Sequence, residues 1–239
     1  MGLSPVEISM AVFFVMLGAM VQGSVGFGVA LVAAPVLMQL DPRLVPGPLL
    51  IAGVPFMLLL AWRERREMQL RSIGVPVTGQ LVGIGVALGF LELADVRVLS
   101  ILVAVVVLLG VLLSLWGVKL EVTRRNFLLG GFLAGFMGTT SSMPGPALAL
   151  IHQHVSAARM RATLAPFFCV GGLFALIGLV VTGQMGREEM VMGLWLAPAG
   201  VLGLAISSWT APRMRESLVR PSVLAFSSAA ALTLLYRSL

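Results

Sequence analysis

The sequence contains few charged residues. Of its 239 residues only 11% are Asp, Glu, Lys or Arg, and 59% are hydrophobic, whereas a soluble domain would carry about 25% charged residues. This composition excludes a water-soluble globule and a disordered chain. The sixteen basic and ten acidic residues are also too sparse to form a phosphate-binding face, so we expect no nucleic-acid partner. The composition predicts an integral membrane protein whose surroundings are the lipid bilayer.

Residues for redox, metal and proton-transfer chemistry are also scarce. A single cysteine, Cys169, excludes an intramolecular disulfide. Apart from it, only His152 and His154 offer the softer metal ligands. No Asp or Glu lies inside a long apolar run, so the carboxylate relay typical of proton-driven carriers is missing. We therefore expect no metal, no cofactor and no catalytic residue.

Long apolar runs dominate the rest of the sequence. The stretches without Asp, Glu, Lys, Arg or His are 8–40, 44–62, 72–91, 98–118, 126–151, 162–186, 190–212 and 221–236. A membrane-spanning helix needs about 20 apolar residues, and six of these runs fit one crossing, the last only marginally. The exceptions are 8–40 and 126–151. The first is too long for one crossing and too short for two.

Both exceptional runs contain a segment that disfavours a continuous helix. Glycines interrupt the first run at Gly23–Gly28, and glycine and proline interrupt the second between Gly138 and Pro146. Because these residues weaken the interior of a helix, we predict that each run forms a re-entrant, V-shaped pair of broken helices.

The distribution of basic residues predicts the topology. Arginine and lysine cluster at 63–71, 119–125 and 213–220, and the positive-inside rule places these three segments in the cytoplasm as solvated loops. Run 126–151 then begins and ends inside, and run 8–40 begins and ends outside. The predicted fold is all-α and polytopic. Each repeat, 1–118 and 126–239, has a re-entrant pair plus three transmembrane helices. The two are joined by a cytoplasmic linker at 119–125 and inverted relative to each other, as in secondary transporters.

The two breaks predict a binding site for an anion. A half-helix N-terminus presents main-chain N–H groups and about half a positive charge, and so binds an anion without a charged side chain. Small residues also pack transmembrane helices together, but clusters that coincide with a length anomaly in both halves favour a site. The candidate substrate-binding residues are Gln22, Ser24, Gly26, Gly28, Thr140, Ser141 and Gly145, with Arg161 and Thr163 in second place. Whether Arg161 attracts anions or only sets the orientation is left open.

These segments resemble the TauE/SafE family of membrane proteins. The early glycine pattern is QGSVGFGVALVAAP at Gln22–Pro35, and the stronger match is GTTSSMPGPALALIHQHVSAARMRATLAPFF at Gly138–Phe168. Ser142-Met143-Pro144 stands where many members have a second glycine run. The resemblance implies a multi-pass transporter of the inner (plasma) membrane that exports small sulfur-containing anions, sulfite or organosulfonates, by alternating access. It does not fix which anion.

Two other functions stay open at this stage. A passive anion channel would use the same broken helices. An intramembrane hydrolase would need Ser141 or Ser142 to meet His152 or His154, and these histidines follow the end of the apolar run, which disfavours it. The coupling ion, the direction of transport and the oligomeric state, a homodimer included, are not fixed by the sequence.

Overall fold

The structure is a computed structural model that describes residues 3–25, 28–68, 73–116, 123–145, 148, 157–210 and 216–239. Within these ranges the regular structure is helical and contains no strand. The α-helices, in chain order, are α1 (Pro5–Val25), α2 (Val29–Leu40), α3 (Gly47–Arg63), α4 (Gly74–Leu93), α5 (Val96–Trp116), α6 (Arg124–Ser141), α7 (Ala157–Val181), α8 (Arg187–Thr210) and α9 (Glu216–Ser238).

Most of these helices are long and apolar enough to cross a membrane. By length and composition the candidate spans in the described ranges are Pro5–Ser24, Pro42–Arg63, Gly74–Leu93, Val96–Leu115, Arg159–Val181 and Arg187–Thr210. The outer surface of the bundle carries exposed large apolar side chains, among them Phe174, Ile177 and Trp195, which suit contact with lipid. The prediction of an all-α, polytopic membrane protein is confirmed. The first arm of run 8–40, α1, is as long as a crossing helix, whereas α2 has only 12 residues.

The first predicted break lies between α1 and α2. Helix α1 ends at Val25 and α2 begins at Val29. The residue before α2, Gly28, has φ 145°, a conformation that residues with a Cβ atom rarely adopt. A Cβ atom at this position would also press on the side chain of Val21. The glycine therefore lets the chain turn back beside α1.

The second predicted break lies at the end of α6. Helix α6 stops at Ser141, and Ser142 adopts the left-handed conformation with φ 58°. The N–H groups of Ser142 and Met143 both donate to the carbonyl of Met137, which closes the helix end. Helical conformation resumes at Gly145. The break therefore falls inside the predicted segment.

The two ends of each broken pair lie at the same end of the bundle. For the first pair, Arg43, which follows α2, forms ion pairs with Asp41 at 2.8 Å and with Glu188 at the start of α8 at 3.3 Å. Leu3, just before α1, and Ile8 in α1 line a recess together with Leu44, which follows α2, and residues of α8. This geometry is the one that a re-entrant pair requires. We call this the outer end, following the predicted topology.

The second pair has its two ends at the opposite, inner end. Arg159, at the start of α7, lies 3.9 Å from Glu67 in the connection between α3 and α4. Phe127 near the start of α6 and Met160 near the start of α7 pack against one apolar cluster. The basic residues Arg63, Arg159 and Arg161 thus share the inner end, as the positive-inside rule predicts for a cytoplasmic face.

Close packing between helices depends on small residues. A Cβ atom on Gly79 or Gly83 of α4 would collide with the main chain of α6, and one on Gly131 of α6 with the main chain of α4. Gly203 of α8 lies in the same way against the main chain of α1. These contacts hold the first arms of the two broken pairs, α1 and α6, against full-length helices.

Candidate functional site

The two helix breaks meet at one buried cavity of about 70 Å³. The start of α2 at Gly28–Leu31 lines one side of it, and the turn after α6 at Ser142–Gly145 lines another. Helices α3, α5 and α7 complete the wall, with Gly110 of α5 and Cys169 and Gly172 of α7 among the lining residues. Two segments more than a hundred residues apart in sequence therefore contribute main chain to a single space.

The N-terminus of α2 gives this cavity its electrostatic character. Val29, Ala30 and Leu31 form the first turn of α2, whose N–H groups have no acceptor within their own helix, and all three residues line the cavity. The first turn carries no acidic residue that would neutralise the positive end of the helix dipole. The arrangement favours a negatively charged ligand.

The side chain of Gln22 orients this end of α2. Its Oε1 atom accepts a hydrogen bond of 2.9 Å from the N–H of Val29, across the break. Its Nε2 atom lies 3.7 Å from the sulfur of Met57, and a thioether is only a weak acceptor. Gln22 thus fixes the first amide of α2 and keeps side-chain N–H groups available at the edge of the cavity.

Ser24, another predicted residue of the first half, is not among the residues that line the cavity. The hydroxyl of Ser24 donates to the carbonyl of Met20 at 2.9 Å, and the carbonyl of Ser24 accepts a hydrogen bond from Arg161. Gly26 lies outside the described residues. Of the predicted residues in this half, Gln22 and Gly28 line the cavity.

In the second half the predicted hydroxyls are used within the helix. Thr140 donates to the carbonyl of Phe136 at 2.8 Å, and Ser141 donates to the carbonyl of Met137 at 2.6 Å, the local bonding that Ser and Thr adopt in helices. Neither residue lines the cavity, whereas Gly145 does. Ser142, one residue further on, does so too, and its hydroxyl donates to the carbonyl of Pro46 at the start of α3.

A cluster of charged side chains closes the inner end of α1. Arg161 donates from Nη1 to the carbonyl of Ser24 at 3.0 Å and pairs with Glu64 at 3.1 Å. Arg63 donates from Nη2 to the carbonyl of Gly23 at 2.8 Å and also pairs with Glu64, at 3.2 Å. Two cations and one anion leave a surplus of one positive charge, placed at the C-terminal carbonyls of α1 where the helix dipole is negative.

This inner cluster differs in part from the prediction. Arg161 was predicted as a second-rank site residue, and it contacts the end of the first break rather than the cavity. Arg63 was predicted to be part of a solvated loop, yet it also reaches the hydroxyls of Ser207 and Ser208 of α8. Thr163 is buried in α7 and is not among the cavity-lining residues.

The residues that could hold a metal ion or form a Ser–His pair lie only partly in the described ranges. Those ranges contain no group of three or more His, Cys, Asp or Glu residues placed to hold a metal ion. His152 and His154 lie outside them. The hydroxyls of Ser141 and Ser142 both donate to main-chain carbonyls.

A multi-pass helical protein in which two interrupted helices enclose one buried cavity has the architecture of a membrane transport protein. The family model described as Sulfite exporter TauE/SafE matches residues 11–234 of the 239 in this chain. The chain belongs to this sulfite exporter family, and the resemblance seen in its sequence is confirmed. Comparison of this chain with the curated proteins and with the solved structures found no match.

The role of Gln22 can be tested with a matched glutamine on the next helix. Gln22→Leu removes the acceptor for the Val29 amide and the donors at the cavity edge, so we expect sulfite affinity to fall about tenfold, the worth of a typical hydrogen bond to a charged group. Gln39→Leu also removes two amide hydrogen bonds, to the carbonyls of Pro35 and Ala230, but these lie away from the cavity. Affinity would be measured from the thermal stabilisation of purified protein by sulfite. Equal loss of affinity in both variants would contradict the assignment.

Proposed function

We propose that this protein is a secondary transporter that exports small sulfur-containing anions, sulfite or organosulfonates, across the plasma membrane by alternating access. The observation that carries this proposal is the shared cavity. Its polar lining includes Gln22, Ser142 and the start of α2, whose first-turn N–H groups are hydrogen-bond donors, and family membership supplies the class of substrate. The partners in this proposal are the anion and the lipid bilayer.

Reciprocal contacts support two inverted halves, 1–118 and 126–239, joined by a linker at 119–125. At the inner end, the last turn of α1 is held by Arg161 at the start of α7. At the outer end, Ser142 after α6 is held by Pro46 at the start of α3. Each break is therefore held by a residue at or near the start of the long helix that follows the other break, which is the pattern expected from a two-fold axis in the membrane plane.

The inner cluster has the properties of a gate. Its surplus positive charge raises the local concentration of anions at the inner mouth. Its arginines hold neutral carbonyls and one shared carboxylate, so an incoming anion competes for the same donors. In the proposed cycle, release of Gly23 and Ser24 from Arg63 and Arg161 opens the cavity towards the cytoplasm.

A recess at the outer end provides the matching exit. It has a volume of about 260 Å³ and is lined by Arg43, Pro46, Gly47, Asp95 and Gln184, among others. Pro46 is also the residue that holds Ser142, so a shift of this contact would connect the recess with the cavity. In the proposed cycle the inner cluster and the Ser142–Pro46 contact open in turn.

The membrane potential can drive export without a coupled ion. With a cell interior negative by about 100 mV, outward movement of one negative charge is favoured by about 2.3 kcal/mol. The apolar runs contain no Asp or Glu for proton coupling. The proposed transporter is therefore driven by voltage.

A flux assay tests the driving force directly. Purified protein in sulfite-loaded liposomes should release sulfite faster when a valinomycin-clamped potassium gradient makes the lumen negative, and more slowly when the sign is reversed. A pH gradient at zero potential should have no comparable effect. Release that follows pH and ignores voltage would contradict the proposal, and single-channel currents far above carrier turnover would favour a passive channel.

The native cysteine reports on the inner gate. Cys169 is buried and lines the cavity, so a charged methanethiosulfonate reagent applied from the cytoplasmic side labels it only when that end opens. Arg161→Gln removes a contact to Ser24 and one to Glu64, and we expect labelling to accelerate about tenfold, since leaving buried partners unpaired costs about 1–3 kcal/mol.

Arg159→Gln is the matched control. It removes the same charge at the same end of the bundle, but Arg159 is more exposed, with 45% side-chain accessibility against 15% for Arg161. Labelling of Cys169 in this variant should stay at the native rate, and ethanesulfonate, which unlike sulfite does not react with the reagent, should protect the thiol in all three proteins. An equal acceleration in both variants would show that charge alone, and not the contact to α1, controls access.

A further inference from the structure

A second, smaller cavity lies beside the central one, between α4, α6 and α7. Its volume is about 20 Å³, and Gln80 of α4 and Thr139 of α6 contribute its polar groups. Both side chains are buried, with 2% and 0% exposure. Within the described part of the chain, Gln80 Oε1 and Thr139 Oγ1 have no hydrogen-bond partner. Neither residue belongs to the central site described above.

The fold makes room for this amide group. A Cβ atom on Gly171 of α7 would collide with the side-chain amide of Gln80, and one on Gly135 of α6 would collide with the main chain of Gln80. The two glycines therefore leave room for the polar side chain of Gln80 in an interior that is otherwise apolar. Because an unpaired polar atom in an apolar interior is unfavourable, the arrangement calls for a polar group in the adjoining space.

The two unpaired atoms define what that group must be. Gln80 Oε1 only accepts hydrogen bonds, whereas the Thr139 hydroxyl both donates and accepts. A single hydroxyl group satisfies both, since it donates its proton to Oε1 and accepts the proton of Thr139. A methyl group leaves both atoms unpaired, and a carboxylate cannot donate to Oε1. The volume suits one oxygen-sized group, which needs about 10–15 Å³.

The position of the small cavity links it to the anion site. Leu50, Pro144, Phe168 and Gly172 line both spaces, so the two are adjacent. The central cavity offers donors, which suit an anionic head group, and the small cavity offers an acceptor and a hydroxyl. A short ligand with a negative head and a hydroxyl tail matches both.

We propose that Gln80 and Thr139 form a subsite for the hydroxyl group on the tail of the transported anion, so that the protein prefers hydroxyalkyl sulfonates to unsubstituted or carboxylated ones. This inference rests on the proposed transport of sulfur-containing anions. It narrows the class of substrates to sulfonates whose tail carries a hydroxyl group.

Three sulfonates with the same head group test the subsite: ethanesulfonate, 2-hydroxyethanesulfonate and sulfoacetate. Affinities would be measured by ligand-induced thermal stabilisation of the purified full-length protein, with sulfite as a reference for the head group. The native protein should bind 2-hydroxyethanesulfonate about tenfold more tightly than ethanesulfonate, as expected for one buried hydrogen bond, and sulfoacetate more weakly than either.

Variants of Gln80 and Thr139 test whether these two residues cause the preference for 2-hydroxyethanesulfonate. Thr139→Val and Gln80→Leu should lower the affinity for 2-hydroxyethanesulfonate to that for ethanesulfonate, and Thr139→Ser should restore the preference. Ser227→Ala is the matched control, because Ser227 of α9 is also a buried hydroxyl without a partner in the described ranges but lines neither cavity. It should keep the native preference. If Gln80→Leu fails to fold, the Thr139→Val and Thr139→Ser pair decides the question.

The possible results distinguish a failure of this subsite from a failure of the proposed function. Equal affinity of the native protein for the two ethanesulfonates, as when the small cavity holds only a water molecule, overturns the subsite and leaves sulfite transport standing. A preference that persists in Thr139→Val also overturns it. Failure of sulfite and all three sulfonates to bind contradicts the proposed function itself, and the subsite falls with it.

Discussion

The main-chain hydrogen bonds of an interrupted helix are the constraint on which this structure depends. A continuous helix satisfies its own N–H and C=O groups inside the bilayer, but a break leaves several of them without a helical partner, and the surrounding protein must supply new ones. Here the carbonyls at the end of α1 are met by two arginines, the first amide of α2 by Gln22, and the end of α6 by its own left-handed turn. Ala30 and Leu31, which follow in α2, line the central cavity. The proposed anion binding thus follows from how the break is accommodated.

The same contacts connect the binding cavity to both faces of the membrane. The arginine cluster joins α1 to α3, α7 and α8 at the inner end, and the Ser142–Pro46 hydrogen bond joins the α6 turn to α3 at the outer end. Helix α3 takes part in both, and its middle section forms a wall of the cavity. A movement of this helix relative to the broken pairs changes both closures together. This coupling is what the proposed alternating access requires.

The sequence predicted the fold more reliably than it predicted which side chains line the site. Run lengths and glycine clusters are properties of the chain itself, so the breaks before α2 and after α6 were predicted where the structure has them. Which hydroxyl faces the cavity depends on helical phase: Thr140 and Ser141 turn back onto α6, and the adjacent Ser142 lines the cavity only because it leaves the helix. Arg63 sits in a run of charges typical of a loop, and its contact to α1 is set by tertiary packing. Gln80 stands alone in an apolar run, with no neighbouring signal to mark it.

The central claim is that an anion binds between the two helix breaks, and selenite, a close chemical analogue of sulfite, allows it to be located. An anomalous difference map of the selenite-soaked protein should show one dominant peak within hydrogen-bonding distance of the first-turn amides of α2 at Ala30 and Leu31, opposite the Ser142–Gly145 turn. A dominant peak at the Arg63–Arg161 cluster, with no density between the breaks, would contradict the account and make the arginines the binding site.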